Sequence, residues 1–325
     1  MKILITRKIE TEVMEIIPES FDVVMWEQEN SVMPRDLLLK EAADADAIFT
    51  NVTDRIDEEL FSCAKNLKVV STMGVGFDNI DIKAATKRNI PVGHTPDVLS
   101  EAVAELALTL MFACARRVVE SMNFIKADEW KSWGPYLFAG QKISGAKLGI
   151  IGMGRIGKEL AKMARGLNMD VSYFNRNRVL DTEETLQVQY KDLETLLKDS
   201  DYVVMLAPAT KETYHMLKYE QFALMKPTSI FVNASRGTTI DENDLYKILK
   251  EKKIFAAGLD VFEKEPINQS HPLLTLDNVI AVPHIGSANV ETRDKMIEIT
   301  LRNILNGLSG EQLLYTVNPE VFVKN

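Results

Sequence analysis

The stretch that decides the fold is "LGIIGMGRIGKELAKMARGLNMDVSYF", residues 148–174. An apolar strand pattern enters the glycines of a G-x-G-x-x-G motif, a helical pattern leaves them, and a second strand pattern follows. Gly152 allows a tight turn, Gly154 lets the backbone approach a pyrophosphate, and Gly157 lets the helix pack closely on the strand. The N–H groups at the start of the helix favour an anion. This context predicts a dinucleotide-binding turn rather than an ordinary glycine turn between a strand and a helix.

The end of the second strand indicates which dinucleotide is bound. An NAD-binding protein of this kind usually has Asp or Glu there, about 20 residues beyond the glycines, to bind the ribose hydroxyls. This chain has Asn175, Arg176, Asn177 and Arg178 instead. An uncharged side chain does not repel a phosphate, and arginine binds one with paired hydrogen bonds. We expect NADP(H) rather than NAD(H), with Asn175, Arg176 and Asn177 lining the 2′-phosphate site. The alternative is that the arginines are solvated loop charges.

Strand and helix patterns alternate along almost the whole chain, which is typical of parallel βαβ units. The first series has strand patterns at 2–6, 21–25, 47–50, 67–71 and 91–92. The second series has them at 148–151, 171–174, 202–206, 230–233, 256–259 and 279–282. The six strands of the second series predict a complete doubly wound sheet. Between the two series, residues from about 100 to 121 have a helical pattern with small, apolar side chains on nearly every side. This pattern predicts a helix that is buried on all faces.

The composition limits the function classes. The chain of 325 residues suits two domains, and 46% hydrophobic residues are enough for sizeable cores. The net charge of -9 argues against nucleic acid or an anionic membrane as partner, because both need a basic surface. Cys63 and Cys114 lie in no C-x-x-C or metal-finger pattern, which favours a reducing compartment. The N-terminal apolar run is too short for a signal peptide, and we expect a cytoplasmic protein.

Three side chains that can bind anions or transfer protons follow strands of the second series. His284 follows the last strand in "VPHIGS", Arg236 follows another in "NASRG", and Glu265 follows a third in "DVFEKEP". Because ligands bind at the carboxyl ends of strands in such sheets, we expect the three at one edge. Taken alone, each has a plainer interpretation, as a structural histidine, an ion pair between domains, or a surface acid. The remaining histidines are interpreted as structural, namely His94, His215 and His271.

Seven stretches together resemble the family of D-isomer-specific 2-hydroxyacid dehydrogenases. In chain order they are "STMGVGFDNIDIKAA", "VGHTPDVLSEAVAELAL", "LGIIGMGRIGKELA", "FVNASRGTTIDENDL", "AAGLDVFEKEP", "HPLLTLDNVIAVPHIGSA" and "EQLLYTVNP". They are spread over residues 71–319 in the family's order. The resemblance is greatest to the glyoxylate/hydroxypyruvate reductase branch, which the Trp130–Trp133 segment and the basic strand end support. It implies an α/β fold of two doubly wound parallel-sheet domains, a Rossmann nucleotide domain and a flavodoxin-like split substrate domain.

The resemblance implies roles for the candidate residues. His284 would donate the proton when a 2-keto acid is reduced, and Glu265 would hydrogen-bond its other ring nitrogen and favour the protonated ring. Arg236 would bind the substrate's carboxylate and polarise its carbonyl, and the backbone N–H groups of Val75 and Gly76 would bind the same carboxylate. The nicotinamide would carry the hydride, and no metal is implied. Further cofactor contacts are implied at Arg155, Ile156, Ala207, Pro208, Ala234, Ser235 and Asp260.

The resemblance also implies the domain organisation. The substrate domain would comprise residues 1–98 and 289–325, and the dinucleotide-binding domain residues 99–288 with a dimerisation arm at about 120–147. The cleft between the domains would close on the substrate and exclude water. The family is typically dimeric, and in this branch a tryptophan of the arm reaches the partner's active site. Trp133 matches that tryptophan, with ordinary core packing as the alternative.

The expected function is reduction of small 2-keto acids, glyoxylate and hydroxypyruvate, with NADPH preferred. Within the family, the missing strand-end acid and regulatory domain argue against phosphoglycerate dehydrogenase, and formate dehydrogenase would need an asparagine and other residues not recognised in this chain. A 2-ketogluconate reductase shares the basic strand end and the three catalytic candidates, so this alternative stays open. From another class, a dinucleotide-sensing, corepressor-like binding protein shares the fold, and fold does not fix function. Turnover of a small keto acid that is lost in His284→Gln would separate enzyme from binding protein.

Overall fold

The computed structural model describes residues 1–323. The chain folds into two compact units, Met1–Leu99 with the C-terminal residues from Ala288, and Ser100–Ser287. The domain limits expected from the sequence, residues 98 and 289, lie beside these divisions. Within residues 1–323, no helix combines the length and the apolar character needed to cross a bilayer.

The first unit contains a five-stranded parallel sheet. Its strands are β1 (Lys2–Ile5), β2 (Asp22–Met25), β3 (Ala47–Thr50), β4 (Val69–Thr72) and β5 (Val92–Gly93). The helices between them are α1 (Arg35–Ala42), α2 (Glu58–Cys63) and α3 (Ile82–Lys87), and Glu12–Ile16 forms a 3₁₀ helix. The strand order is β2-β1-β3-β4-β5, with every pairing parallel. This is the order of flavodoxin-like folds, and it confirms the fold class expected for this unit.

The second unit begins with two helices and continues as a larger parallel sheet. The helices that precede the sheet are α4 (Ser100–Ala115) and α5 (Val118–Lys126). The strands are β6 (Lys147–Ile151), β7 (Asp170–Phe174), β8 (Gln189–Tyr190), β9 (Tyr202–Met205), β10 (Ile230–Asn233), β11 (Ala256–Leu259) and β12 (Val279–Ala281). The intervening helices are α6 (Arg155–Gly166), α7 (Leu180–Leu186), α8 (Leu193–Asp199), α9 (Tyr219–Phe222) and α10 (Glu242–Lys250), and Gly237–Thr239 and Pro272–Thr275 form 3₁₀ helices.

The order of the second sheet is β12-β11-β10-β9-β6-β7-β8, and all its pairings are parallel. Strands β8-β7-β6-β9-β10-β11 follow one another in the Rossmann order, and β12 adds one strand beside β11. The predicted fold class is therefore confirmed. The sequence predicted six strands and missed β8. Gln189 and Tyr190 form only a two-residue strand with no apolar run, so hydrophobicity could not reveal it.

A last helix, α11 (Val290–Ser309), belongs to the first unit, and the 3₁₀ helix Pro319–Phe322 follows it. Ile297, Leu301 and Ile304 on α11 pack in the core that covers one face of the first sheet. The approach is close, because a Cβ atom on Gly307 would lie 2.6 Å from the Cβ atom of Val69. Strands β3 and β4 are therefore buried on both faces, with α1, α2 and α3 on the other side.

The helical stretch between the two series differs from the expectation in two respects. It is broken after Ala115, where Arg117 adopts a left-handed φ of +49° and α5 starts in a new direction. The carbonyl oxygen of Ala115 accepts the N–H of Gln141, at 2.9 Å, instead of continuing the helix. Burial on all faces is also wrong for α4, because Glu101 and Phe112 are exposed within the chain. The buried face of α4 packs on α6 and on strands β10 and β11.

Candidate active site

The glycine-rich turn lies at the carboxyl end of β6. Gly152 has a φ of +108°, and a Cβ atom on it would lie 2.5 Å from the backbone nitrogen of Ala207. A Cβ atom on Gly157 would lie 2.5 Å from the carbonyl oxygen of Gly152, so α6 packs directly on the turn. Gly154 is the N-cap of α6, and a Cβ atom there would meet no described atom within 4 Å. Backbone contacts therefore exclude side chains at Gly152 and Gly157, whereas Gly154 leaves an open approach.

The start of α6 supplies donors for an anion. Arg155 and Ile156 are its first two residues, and the first N–H groups of a helix have no partner inside the helix. These groups also carry the positive end of the helix dipole. The turn lies between β6 and β9, where the strand order reverses, which is the usual ligand position in such sheets. The donor set and the open approach at Gly154 fit a pyrophosphate.

The strand end after β7 is linked to the glycine-rich turn. The Oδ1 atom of Asn175 accepts the N–H of Met153, at 2.7 Å, within the G-M-G segment. The side chain at this position therefore helps to hold the turn, a role that the sequence reasoning did not anticipate. Arg176 and Asn177 are exposed at the same edge.

Arg178 has different surroundings from Arg176. Its Nε atom donates to Oε1 of Glu183 at 3.0 Å, a second nitrogen donates to Oε2, and the guanidinium lies 5.6 Å from the centre of the Tyr190 ring. Hydrogen bonds from Arg178 and then from Tyr173 lower the pKa of Glu183 to about 2. Arg178 is thus committed to an ion pair, and Arg176 is the better candidate for a phosphate.

The predicted cofactor contacts at the next two strand ends lie at the same edge. Ala207 and Pro208 follow β9, and Ala234 and Ser235 follow β10. The hydroxyl of Ser235 donates to the carbonyl oxygen of Ala207 and joins the two strand ends. Because β9 and β10 are parallel neighbours, both segments leave the sheet on the side of the glycine-rich turn.

Arg236 lies in a turn whose backbone is firmly held. Its carbonyl oxygen accepts hydrogen bonds from Nδ2 of Asn233, at 3.1 Å, and from Oγ1 of Thr239, at 2.7 Å. Asn233 and Thr239 are fully buried. Sequence reasoning missed both, although each lies within three residues of Arg236, where polar residues in an apolar context are the available signal.

Gly237 brings Arg236 and Glu265 together through the backbone. A Cβ atom on Gly237 would lie 1.8 Å from the carbonyl carbon of Phe262, so the turn after β10 touches the segment after β11. The N–H of Phe262 in turn donates to Oε1 of Glu265, at 2.9 Å. The positive charge of Arg236 also contributes to the lowered pKa of Glu265.

Glu265 and His284 form a hydrogen-bonded pair. Oε2 of Glu265 lies 2.7 Å from Nδ1 of His284. Burial alone would raise the pKa of Glu265, but the hydrogen bond and the charge of His284 outweigh it, so the pKa lies below its usual value. Both carboxylate oxygens are engaged, one by Phe262 and one by His284, which fixes the orientation of the ring. The His284 side chain is 31% exposed, so the ring is not enclosed in the core.

Asp260 holds the backbone around His284. His284 has a left-handed φ of +53°, a conformation that is uncommon outside glycine. Its N–H donates to the carbonyl oxygen of Asp260 at 3.0 Å, and the N–H groups of Ile285 and Gly286 donate to the Asp260 carboxylate at 2.6 and 3.0 Å. Burial raises the pKa of Asp260 to about 6, against the opposing effect of these donors and of His284. Asp260 therefore supports the turn that carries His284. A contact between Asp260 and the cofactor stays a prediction.

His215 and His271 lie outside the Glu265–His284 pair. Nε2 of His215 is 2.7 Å from Oε1 of Glu263, and its backbone N–H donates to the carbonyl oxygen of Thr238 at 2.9 Å. Nε2 of His271 is 3.4 Å from Oε2 of Glu242. His215 thus contacts both the turn after Arg236 and the loop that carries Glu265, whereas His271 contacts the start of α10.

In the first unit, Val75 and Gly76 lie in the loop that follows β4, at the carboxyl edge of the five-stranded sheet. Val75 is exposed and Gly76 is half-buried. The end of this loop is tied to its neighbour by Asn79, whose Nδ2 atom donates to the carbonyl oxygens of Asn51 at 2.8 Å and Asp54 at 2.7 Å.

Trp133 lies on an excursion of the second unit that we call the arm, residues 116–140. The arm leaves at the end of α4 and returns at Gly140, which packs against the carbonyl of Ala115. It overlaps the dimerisation arm expected at about 120–147, which stays a prediction. Trp133 is 79% exposed within the chain, which rules out the core-packing interpretation. The apolar residues exposed on the arm are Val118, Met122, Ile125, Trp130, Trp133, Tyr136 and Leu137.

A family model for the NAD-binding domain of D-isomer specific 2-hydroxyacid dehydrogenases matches residues 108–286. The chain belongs to this family. The dehydrogenase is similar to the glyoxylate reductase of Thermococcus gammatolerans, with 44% identity over 98% of this chain and 96% of the relative. Among solved structures, it resembles a protein of Thermus thermophilus, with a TM-score of 0.92 and 38% identity over 98% of this chain and all of that one.

A second solved structure bears on the cofactor. An NADPH-dependent glyoxylate/hydroxypyruvate reductase of Sinorhizobium meliloti, solved with NADP and malonate, matches with a TM-score of 0.84 and 29% identity. The match covers all of this chain and 98% of that one. The protein is therefore an NAD(P)-dependent D-2-hydroxyacid dehydrogenase, as the resemblance implied, and the binding-protein alternative is not favoured.

Proposed function

We propose that this dehydrogenase reduces glyoxylate and hydroxypyruvate to their 2-hydroxy acids and prefers NADPH. The observation that carries the proposal is the Glu265–His284 pair, 2.7 Å apart at the carboxyl edge of the second sheet. A histidine with one nitrogen held by a half-buried carboxylate is a positioned general acid. The names of the relatives as glyoxylate reductases support the substrate class and do not favour 2-ketogluconate.

In the proposed reduction, different residues bind the substrate and transfer the proton. The glycine-rich turn and the start of α6 would hold the dinucleotide, which when bound would supply a hydride for the carbonyl carbon. His284 gives the proton from Nε2 to the carbonyl oxygen, while Glu265 keeps the ring oriented and stabilises its positive charge. Arg236 binds the substrate's carboxylate and stabilises the charge that develops on the carbonyl oxygen. The backbone N–H groups of Val75 and Gly76 bind the same carboxylate.

The cofactor preference rests on the strand end after β7. Asn175 has no charge that would repel a 2′-phosphate, and its Oδ1 atom already accepts the N–H of Met153, so its amide nitrogen is the donor left for a ligand. The exposed guanidinium of Arg176 can bind the phosphate with paired hydrogen bonds. An NADPH-dependent reductase among the similar structures supports this choice.

We further propose that the dehydrogenase is a cytoplasmic homodimer joined through the arm. Val118, Met122 and Ile125 follow one another at helical spacing on α5, and all three are exposed. None of the nine residues of α5 is buried within the chain. A short helix with one exposed apolar face needs a partner, and a second copy of the arm offers a matching surface.

The experiment that tests the activity is a set of initial rates with glyoxylate, hydroxypyruvate and 2-ketogluconate, each with NADPH and with NADH at matched low concentration. We expect fast turnover of the two small acids with NADPH, lost in His284→Gln. Higher kcat/KM with 2-ketogluconate would change the substrate, and preference for NADH would change the cofactor. Absence of turnover with all three would refute the proposed function.

A further inference from the structure

The loop that carries Val75 and Gly76 is attached to the residues that follow β5. The backbone N–H of Thr95 donates to the carbonyl oxygen of Gly74, at 2.9 Å. One residue earlier, Nδ1 of His94 lies 3.1 Å from the carbonyl oxygen of Val75. A carbonyl oxygen can only accept a hydrogen bond, so Nδ1 of His94 carries the proton in this contact. The carbonyl oxygens of Gly74 and Val75 thus accept hydrogen bonds from Thr95 and His94, respectively.

These two hydrogen bonds determine where the N–H groups of the loop point. The carbonyl of Gly74 shares a peptide unit with the N–H of Val75, and the carbonyl of Val75 shares one with the N–H of Gly76. In a planar trans peptide the N–H points opposite to the carbonyl. Anchoring both carbonyls on the side of His94 and Thr95 therefore directs both N–H groups to the other side. A hydrogen bond to the carbonyl also polarises the peptide and strengthens its N–H as a donor.

The ring of His94 is held in place by its neighbours. It packs edge-on between Phe77 and Tyr315, with ring centres 5.9 and 6.5 Å away. Its backbone N–H donates to the carbonyl oxygen of Tyr315 at 3.3 Å, and its own carbonyl oxygen accepts Nδ2 of the buried Asn303 at 3.3 Å. The donor on Nδ1 is therefore presented to Val75 by a side chain with little freedom to turn.

We infer that His94 is a positioning residue for the substrate's carboxylate, because it orients the Gly76 N–H and, with Thr95, completes a pair of aligned amide donors. The inference rests on the proposed function, in which these amides bind the carboxylate of a 2-keto acid. This role goes beyond the structural interpretation of His94 that was made from the sequence. Thr95 contributes through its backbone, so His94 is the member of the pair that substitution can test.

Two variants separate the donor from the ring. His94→Phe keeps an aromatic ring between Phe77 and Tyr315 but has no donor for the Val75 carbonyl. His94→Asn loses the ring but has an N–H group on its δ nitrogen, at the same number of bonds from the backbone as Nδ1 of histidine. If His94 acts only by packing, the Asn variant should be the more damaged. If it positions the loop, the Phe variant should be.

The readout is the KM for glyoxylate at saturating NADPH, with kcat and the KM for NADPH measured beside it. We expect His94→Phe to raise the KM for glyoxylate about five- to tenfold, the effect of one lost hydrogen bond, with the KM for NADPH within about twofold of wild type. His94→Asn should restore most of the loss. An unchanged KM in His94→Phe, or a greater loss in His94→Asn, would overturn the inference.

A second measurement keeps this test apart from the test of the function. In NMR spectra of the full-length protein, the carbonyl carbon of Val75 and the amide nitrogen of Gly76 report the hydrogen bond whether or not glyoxylate is turned over. Both resonances should shift in His94→Phe and remain near their wild-type positions in His94→Asn. Failure of the wild type to reduce any 2-keto acid would refute the proposed function, whereas unshifted resonances in His94→Phe would refute the anchoring of the loop.

Discussion

Arg176 and Arg178 are two positions apart, yet only Arg178 is committed to an ion pair with Glu183. This difference provides a matched pair of variants. We expect Arg176→Ala to raise the KM for NADPH about tenfold to a hundredfold, the range for one charged phosphate contact, and to change the KM for NADH little. Arg178→Ala removes the same charge from the same loop and should leave the ratio of the two KM values near that of wild type. Equal losses for both cofactors in Arg176→Ala would mean that Arg176 is a solvated loop charge.

The Glu265–His284 pair predicts a pH dependence. Because the pKa of Glu265 lies below its usual 4.5, the carboxylate stays ionised at higher pH, and its stabilising interaction is lost only as the pH falls through that lowered pKa. The charge of Glu265 also stabilises positive charge on the His284 ring. Glu265→Gln should therefore reduce kcat and remove the part of the pH dependence of kcat/KM that comes from protonation of Glu265 at low pH. A pH profile of Glu265→Gln that superimposes on the wild-type profile would contradict the role of the pair.

At the scale of elements, the contact between the turns after β10 and β11 depends on the missing side chain of Gly237. Gly237→Ala would place a Cβ atom 1.8 Å from the Phe262 carbonyl carbon, so the turns that carry Arg236 and Glu265 would have to separate. We expect a loss of about 2 kcal/mol or more in the free energy of unfolding, measured by urea denaturation, together with a lower kcat.

Gly166, at the end of α6, is the matched control for Gly237. A Cβ atom there would meet no described atom within 4 Å, so Gly166→Ala has the same chemistry without the clash. Alanine is a better helix former than glycine, and this variant should be neutral or more stable by up to about 1 kcal/mol. If both alanine variants unfold at the same urea concentration as wild type, the close approach at Gly237 does not hold the two turns together.

At the scale of the whole molecule, the exposed apolar row on α5 predicts the oligomeric state. We expect a dimer by light scattering coupled to size-exclusion chromatography. Met122→Glu places a charge within the row and should yield a monomer, since an unpaired charge is costly in an apolar interface. Asn123→Glu adds the same charge at the neighbouring position, outside the row, and should remain dimeric. A monomeric wild type would refute the role of the arm.

In the proposed dimer, Trp133 of one subunit contributes to the activity of the other subunit. If its side chain completes the partner's active site, Trp133→Ala should remain a dimer but lose kcat/KM for glyoxylate by about tenfold, with the KM for NADPH unchanged. Mixing Trp133→Ala with His284→Gln supplies the direct check. In a mixed dimer, the subunit with intact His284 receives an intact Trp133 from its partner, so activity should rise above that of either variant alone. Activity that stays at the mean of the two variants would exclude a shared site.

The sequence by itself determined the fold class and the approximate course of both sheets. A strand of a parallel sheet that is covered on both faces is buried on both sides, so it consists of a run of apolar residues. Strands such as Ile230–Asn233 could therefore be predicted from the sequence alone. The glycines at 152 and 157 were equally predictable, because a Cβ atom at either position would clash with backbone atoms. Gly154 was predictable for a different reason, because a pyrophosphate needs an open approach to the backbone there. The candidates Arg236, Glu265 and His284 could be placed at strand ends, and their roles came from the family resemblance.

Only the tertiary structure decided which of these groups touch and what supports them. The hydrogen bond between Glu265 and His284 joins the loop after β11 to the loop after β12. The hydrogen bonds from Ile285 and Gly286 to Asp260 join the same two loops, and no local pattern encodes these contacts. The ion pair of Arg178 with Glu183 distinguishes this arginine from Arg176, although the two residues are chemically the same and lie in one loop. The hydrogen bond of His94 could not be predicted, because its partner, the Val75 carbonyl, is a backbone atom 19 residues away that carries no sequence signal. Local sequence sets which conformations a segment prefers, whereas packing in three dimensions selects the partners of its polar groups.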